Sequence, residues 1–139
     1  MLNLTNVNQY YGDSHTLWDL SLDVPQGSCT GLMGRNGVGK TTTLKCVMGL
    51  LPIRSGEIRY RGDLLSAEPA ERRAPLKIGY VPQGRGIFPM LSVTANLRMG
   101  IVSHDADENE AAARLAAEFP RLAPTMVRLG GAPARGGAQ

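Results

Sequence analysis

A chain of 139 residues with 42% hydrophobic and 19% charged residues is long enough for one ordinary globular domain. Its net charge of +3 comes from fifteen Lys and Arg residues that are scattered rather than gathered into a stripe, so no nucleic-acid partner is expected. Met1 to Asn6 lacks the basic and apolar regions of a secretory signal, and no apolar run is long enough to cross a bilayer, so the expected location is the cytoplasm.

In chain order, Cys29 and Cys46 have no metal-ligand spacing and form no CxxC pair, so both are expected to be reduced and buried as small apolar residues. Trp18 to Val24 alternates apolar and polar residues, the pattern of a strand with one face buried. Pro25-Gln26-Gly27 turns the chain, and Ser28 to Met33 follows as a short β-prone run. From Lys40 the spacing predicts a helix with Leu44, Val47 and Met48 on one face and Gly49 as its stop. Ser55-Gly56 opens a hairpin in which Ile58 and Tyr60 share a face against Arg59 and Arg61, with Gly62-Asp63 as the turn.

Pro69 to Arg73 predicts a short helix, and Ile78-Gly79-Tyr80-Val81, closed by Pro82, predicts a second core strand. Ser92 is the expected N-cap of a helix through Leu97, and the acidic run Asp105 to Glu108 suits the first turn of a longer helix that Pro120 ends. Ala111, Leu115 and Phe119 would form its one buried stripe. The last ten residues, from Gly130, contain no aliphatic side chain larger than alanine and are expected to be disordered. His15 and His104 are expected to be plain surface residues.

Gly34-Arg35-Asn36-Gly37-Val38-Gly39-Lys40-Thr41 matches the P-loop pattern GxxxxGK[ST]. Average residue frequencies give that pattern by chance in about half a percent of chains this long. The motif also lies between a β-prone run and a helical one, where its mechanism needs it. Glycines at 34, 37 and 39 let backbone N–H groups approach a triphosphate without a Cβ in the way. The helix beginning at Lys40 turns its positive end to the phosphates, Lys40 reaches the β- and γ-phosphates, the Thr41 hydroxyl suits Mg²⁺, and Thr42 adds a phosphate contact. Nucleotide binding follows, but a P-loop alone does not choose among kinases, GTPases and transport ATPases.

Further motifs in the same order make residues 1 to about 122 similar to the nucleotide-binding domain of ABC transporters, with 123–139 expected as a disordered, frameshifted tail. Tyr11, in Gln9-Tyr10-Tyr11-Gly12, resembles the aromatic residue that stacks on adenine, with Tyr10 as the alternative. Tyr80-Val81-Pro82-Gln83 resembles the Q-loop, whose glutamine approaches Mg²⁺ and links the site to the membrane subunit. The resemblance implies an α/β P-loop ATPase fold: the N-terminal portion with a mixed β-sheet, an antiparallel β subdomain and the start of a helical subdomain. It also implies ATP and Mg²⁺ as cofactors, Lys40 as the catalytic cation, and Gly34, Arg35, Asn36, Gly37, Val38, Gly39, Thr42 and Tyr11 as nucleotide contacts. Thr41 and Gln83 are the implied metal ligands. Transmembrane permease subunits and a second ATPase subunit are the implied partners, and the location becomes peripheral on the inner face of the membrane.

Within that family the wording of the P-loop and of Val81-Pro82-Gln83-Gly84-Arg85 is most similar to bacterial importers of urea and of branched-chain amino acids, and Gln9-Tyr10-Tyr11-Gly12 leans toward the urea group. The solute is recognised by other subunits. The family's usual glutamate is Ala95 here, which removes a reciprocal capping box. The family's LSGGQ signature, Walker B strand, D-loop and switch histidine do not occur in these 139 residues, so a truncated or frameshifted copy is expected, one that exposes sheet edges and binds ATP without turning it over alone. A non-catalytic nucleotide-binding fragment and a different P-loop enzyme remain the alternatives.

Overall fold

Strands β1 (Leu2–Tyr11), β2 (Ser14–Val24), β3 (Ser55–Tyr60) and β4 (Asp63–Leu64) form a sheet in the order β2-β1-β3-β4, and every pairing in it is antiparallel. The computed structural model describes residues 1–84, 86–101 and 108–130. The expectations for His104, for Asp105 to Asp107 and for 131–139 fall outside the described residues. The chain divides into a unit Met1–Tyr80 and a second that begins at Val81.

The strand β1 escapes simple alternation because its register breaks. Leu4 pairs with Leu22 but Val7 pairs with Leu20, an extra residue on β1; Gln9 then pairs with Leu17, an extra residue on β2. Asn6 at φ 47 and Asp19 at φ 43 sit at these bulges, and both are residue types that enter the left-handed region most readily. Asn8 fastens the two: its Nδ2 donates to the Asn6 carbonyl at 3.1 Å and to Asp19 Oδ1 at 2.8 Å. Its Oδ1 accepts the Asp19 N–H at 3.1 Å and hydrogen-bonds His15 Nε2 at 2.9 Å. His15 is thus a half-buried member of a network, not the plain surface residue expected.

Leu20, Leu22 and Val24 face inward as expected, but the bulge at Asp19 reverses the facing of β2 before it. Leu17 is buried while Trp18, expected on the buried face, is 71% exposed; it stacks on His15 at 3.6 Å between ring centroids, and His15 stacks on Tyr10 at 4.0 Å.

On the inner face Leu4, Val7, Leu17, Ile58, Tyr60 and Leu65 form the core with Cys46 and Val47 of helix α1 (Lys40–Val47). The buried face of α1 is therefore Thr42, Thr43, Cys46 and Val47; Val47 lies there as expected, but Leu44 does not and Met48 is only half-buried. Leu44 is exposed because the sheet approaches the helix one position away from it. Ile58 and Tyr60 share the inner face as predicted. The hairpin turn falls one residue early, on Arg61 and Gly62, whose φ values of 54 and 96 fit a two-residue turn with both centres left-handed. Helix α2 (Ala70–Arg73) follows Pro69.

Two expected strands are not formed. Ser28 to Met33 and Ile78 to Val81 have no ladder partner, and the run 28–33 is exposed. Each would need a parallel neighbour, and none is present among the described residues. Cys29 is consequently exposed, against expectation, while Cys46 is buried. Burial pushes the Cys46 thiol up to about 11, the Arg73 charge opposing that rise. At pH 8 a disulfide-exchange reagent is expected to titrate Cys29 within minutes and Cys46 only on unfolding. What the protonated Cys46 thiol contributes to stability is intact below its ordinary value of 9.0 and is lost as pH rises from there toward 11. A Cys46→Ser variant that shows the same alkaline loss would contradict this.

In the second unit, helix α3 (Val93–Ile101) runs beyond Leu97, and α4 (Glu108–Glu118) leads into a 3₁₀ turn over Pro120–Thr125. Ser92 caps α3 as expected, its Oγ accepting the Ala95 N–H at 3.1 Å. The N–H groups of Val93 and Thr94 donate to the carbonyls of Arg128 at 2.8 Å and Met126 at 3.0 Å. Residues 123–130 are thus not part of a disordered tail: the first turn of α3 needs acceptors, and this segment supplies them. Phe119 is exposed and does not continue the half-buried Ala111 and Leu115. Among the described residues no helix is long and apolar enough to cross a membrane.

Candidate functional site

The P-loop is built against β2. Gly39, at φ 98, sits where a Cβ would lie 2.7 Å from Leu17 Cδ2 and 3.4 Å from the Thr16 carbonyl, so close packing and a left-handed backbone both demand glycine. Gly39 is also the N-cap of α1. It contributes no side-chain hydrogen bond, and no acidic residue occupies the first turn. The opening N–H groups of α1 are therefore left uncapped by side chains, aimed the way the positive helix end points, which is an arrangement for an anion. Residues 34–38 are exposed. Lys40 folds back over them, its Nζ donating to the carbonyls of Gly34 at 2.7 Å and Arg35 at 2.5 Å.

The three threonines that follow are sorted by their surroundings. Thr43 Oγ1 donates to the Gly39 carbonyl at 3.0 Å, and Thr42 Oγ1 lies 3.4 Å from Tyr11 Oη. Both are buried, whereas Thr41 is exposed. Alternation along β1 sends Tyr10 and Tyr11 to opposite faces. Tyr10 has a ring face covered by His15, while Tyr11, half exposed, reaches the P-loop helix. Tyr11, Lys40, Thr41 and Thr42 are thus brought together in the first unit. Gln83 belongs to the second unit, in the exposed segment after Pro82.

A concavity of about 490 Å³ is lined by Tyr60, Arg61, Leu65, Arg72 and Lys77 among others. It contains no P-loop residue, and an exposed loop that grips phosphate with backbone N–H groups needs no enclosed cavity. Sequence reasoning assigned nothing to Arg73, which is buried at the other end of α1 and donates to its last carbonyls. The local sequence Glu71-Arg72-Arg73 carries no signal for that contact.

Residues 17–130 match the family model described as ABC transporter. The chain is 34% identical over 134 residues to a protein named as probable branched-chain amino acid transport ATP-binding protein LivF from Archaeoglobus fulgidus, covering 94% of this chain and 56% of that one. It is 38% identical over 123 residues to the high-affinity branched-chain amino acid transport ATP-binding protein BraG of Pseudomonas aeruginosa, covering 88% of this chain and 53% of that one. The chain therefore spans about half the length of these curated relatives. Among solved structures, an ATP binding subunit of an ABC transporter superposes with a TM-score of 0.83 at 27% identity, over 98% of this chain and 57% of that one. A dimeric bacterial ABC transporter cassette shares the fold at a TM-score of 0.80 and 21% identity, over 98% and 64%.

Proposed function

Because the chain belongs to the ABC transporter ATPase family, we propose that it binds Mg²⁺-ATP at Gly34 to Thr42 as part of the ATP-binding subunit of a solute importer. The observation that carries this reading is the uncapped N-terminus of α1 with Lys40 folded over the loop before it. The loop N–H groups and Lys40 would hold the phosphates, releasing the Gly34 and Arg35 carbonyls to water. The Thr41 hydroxyl fits Mg²⁺, because Thr42 and Thr43 are engaged elsewhere; Gln83 is a second metal ligand on the resemblance alone. Bound Mg²⁺ supplies a Lewis acid that spreads charge over the phosphoryl oxygens. Tyr11 offers the adenine platform.

The names of the two relatives support branched-chain amino acids over urea as the solute moved by the assembly; the P-loop and Val81–Arg85 wording is similar to both, and only Gln9-Tyr10-Tyr11-Gly12 leans toward urea. Transmembrane permease subunits would recognise that solute. A second ATPase subunit would complete the site, as the dimeric cassette suggests, on the inner face of the membrane. A second reading is nucleotide binding without turnover by these 139 residues taken alone, with Lys40, Thr41 and Gln83 as their candidate hydrolytic residues.

Calorimetric titration of the 139-residue chain with Mg²⁺-ATP tests the core of this: saturable one-site binding is expected, and its absence would sink the reading. Turnover well above background that vanishes in Lys40→Ala would remove the second reading. Replacing Tyr11 by alanine should weaken ATP binding about tenfold, in line with stacking worth about 1–3 kcal/mol per base, and leave inorganic triphosphate binding unchanged. Tyr10→Ala should alter neither. Equal losses for both ligands in Tyr11→Ala would show that Tyr11 acts on the loop and not on the base.

A further inference from the structure

We propose that Arg73 is a positioning residue of the P-loop, acting through α1 from the end opposite to Lys40. The helix has eight residues, about 12 Å at 1.5 Å per residue, so it behaves as one short rod. Its C-terminal end is closed twice. Gly49, at φ 74, donates its N–H to the Cys46 carbonyl at 3.1 Å while Leu50 donates to the Lys45 carbonyl at 2.9 Å, the paired 5→2 and 6→1 bonds of a Schellman turn. Arg73 then supplies the cation: Nη1 donates to the carbonyls of Cys46 at 2.8 Å and Val47 at 2.7 Å, and Nε to that of Glu68 at 2.8 Å.

Arg73 is only 4% exposed, and the ion pairs among the described residues use Arg59 and Arg72 instead. Glu68 is a favourable charge near Arg73 but forms no ion pair with it, so burial of the guanidinium is costly unless dipoles compensate, and the negative end of α1 is the compensating partner it touches. Gly49 makes room for it: a Cβ there would lie 2.7 Å from Arg73 Nε and 2.9 Å from Cζ. The guanidinium thus fixes where the last turn of α1 sits, and a rod held at one end holds Lys40 and the Gly39 cap at the other.

The proposal rests on the P-loop reading for its functional half but is measurable without nucleotide. In the nucleotide-free 139-residue chain, Arg73→Met should speed hydrogen exchange at the amides of Thr43 to Val47 and shift the amide resonances of Gly39 and Lys40. Mg²⁺-ATP affinity should fall about tenfold, with Arg73→Lys restoring part of both. Gly49→Ala, which displaces the guanidinium without removing it, should act in the same direction. Leu65→Ala is the control, a buried core change outside α1 that should lower the melting temperature while leaving the Gly39 and Lys40 resonances in place. Changes confined to Cys46–Gly49, or a Leu65→Ala variant that disturbs Gly39 and Lys40 as much as Arg73→Met, would overturn the proposal. If the unaltered chain fails to bind Mg²⁺-ATP, the functional reading falls, and the resonances alone decide Arg73. If Arg73→Met does not fold, the Gly39 and Lys40 resonances of Arg73→Lys and Gly49→Ala decide in its place: shifts in both support the proposal, and unmoved resonances in both overturn it.

Discussion

Replacing Lys40 by alanine is expected to weaken Mg²⁺-ATP binding by about a hundredfold or more while leaving the melting temperature nearly unchanged. A hydrogen bond to a charged group contributes about 1.5–3 kcal/mol, and about 1.4 kcal/mol is tenfold in affinity, so losing contacts to two phosphates reaches that figure. The stability side follows from where Lys40 spends its charge without ligand: on the carbonyls of Gly34 and Arg35, which lie in an exposed loop that water solvates once the ammonium is gone. Calorimetry and a circular-dichroism melt on the same sample separate the two. Affinity retained within threefold would mean that the loop is not a phosphate site.

Ile58→Ala is expected to remove about 3 kcal/mol of stability, within the 2–5 kcal/mol typical of such truncations in a core. Ile58 is fully buried and lies in β3 opposite Leu4 of β1. Its carbonyl accepts the N–H groups of Leu65 at 2.7 Å and Ser66 at 3.2 Å, so the backbone around it is pinned and cannot collapse into the space left. Domains of this size are held by about 5–15 kcal/mol, so such a loss is a large share. Urea unfolding should show a lower midpoint with an unchanged slope. A loss under about 1 kcal/mol would place the centre of the core elsewhere. Excess Mg²⁺-ATP should recover part of the loss, because a ligand that binds only the folded chain stabilises it by mass action.

What is legible in the sequence is what short-range chemistry decides. The P-loop announces itself because a left-handed glycine, a helix start and a lysine must follow one another directly, and the Gly49 stop, the shared face of Ile58 and Tyr60 and the Ser92 cap are similarly local. The sheet is legible only in part: β1 escapes pattern reading because its apolar positions, Leu2, Leu4 and Val7, change phase at Asn6. Trp18 faces the other way from its pattern by the same effect at Asp19, since one extra residue exchanges the two faces of a strand. Ser28–Met33 and Ile78–Val81 have the composition of strands, but a strand is defined by its partner, and composition does not name one. Arg73 is invisible in the sequence because its acceptors on α1, the Cys46 and Val47 carbonyls, lie 27 and 26 residues away and belong to the backbone, which carries no residue identity. In the candidate site, Tyr11 and Tyr10 become distinguishable only once the strand assigns them opposite faces.

The outward placement of Trp18 has a spectroscopic consequence. It is the chain's only tryptophan and is already 71% exposed, so unfolding does not carry its indole from an apolar interior into water, and the colour of its emission is a poor measure of core loss. What unfolding does remove is the imidazole of His15 stacked against it, a contact made by the outer face of the hairpin. Intrinsic fluorescence therefore follows the hairpin's integrity through brightness, independently of the core that circular dichroism follows.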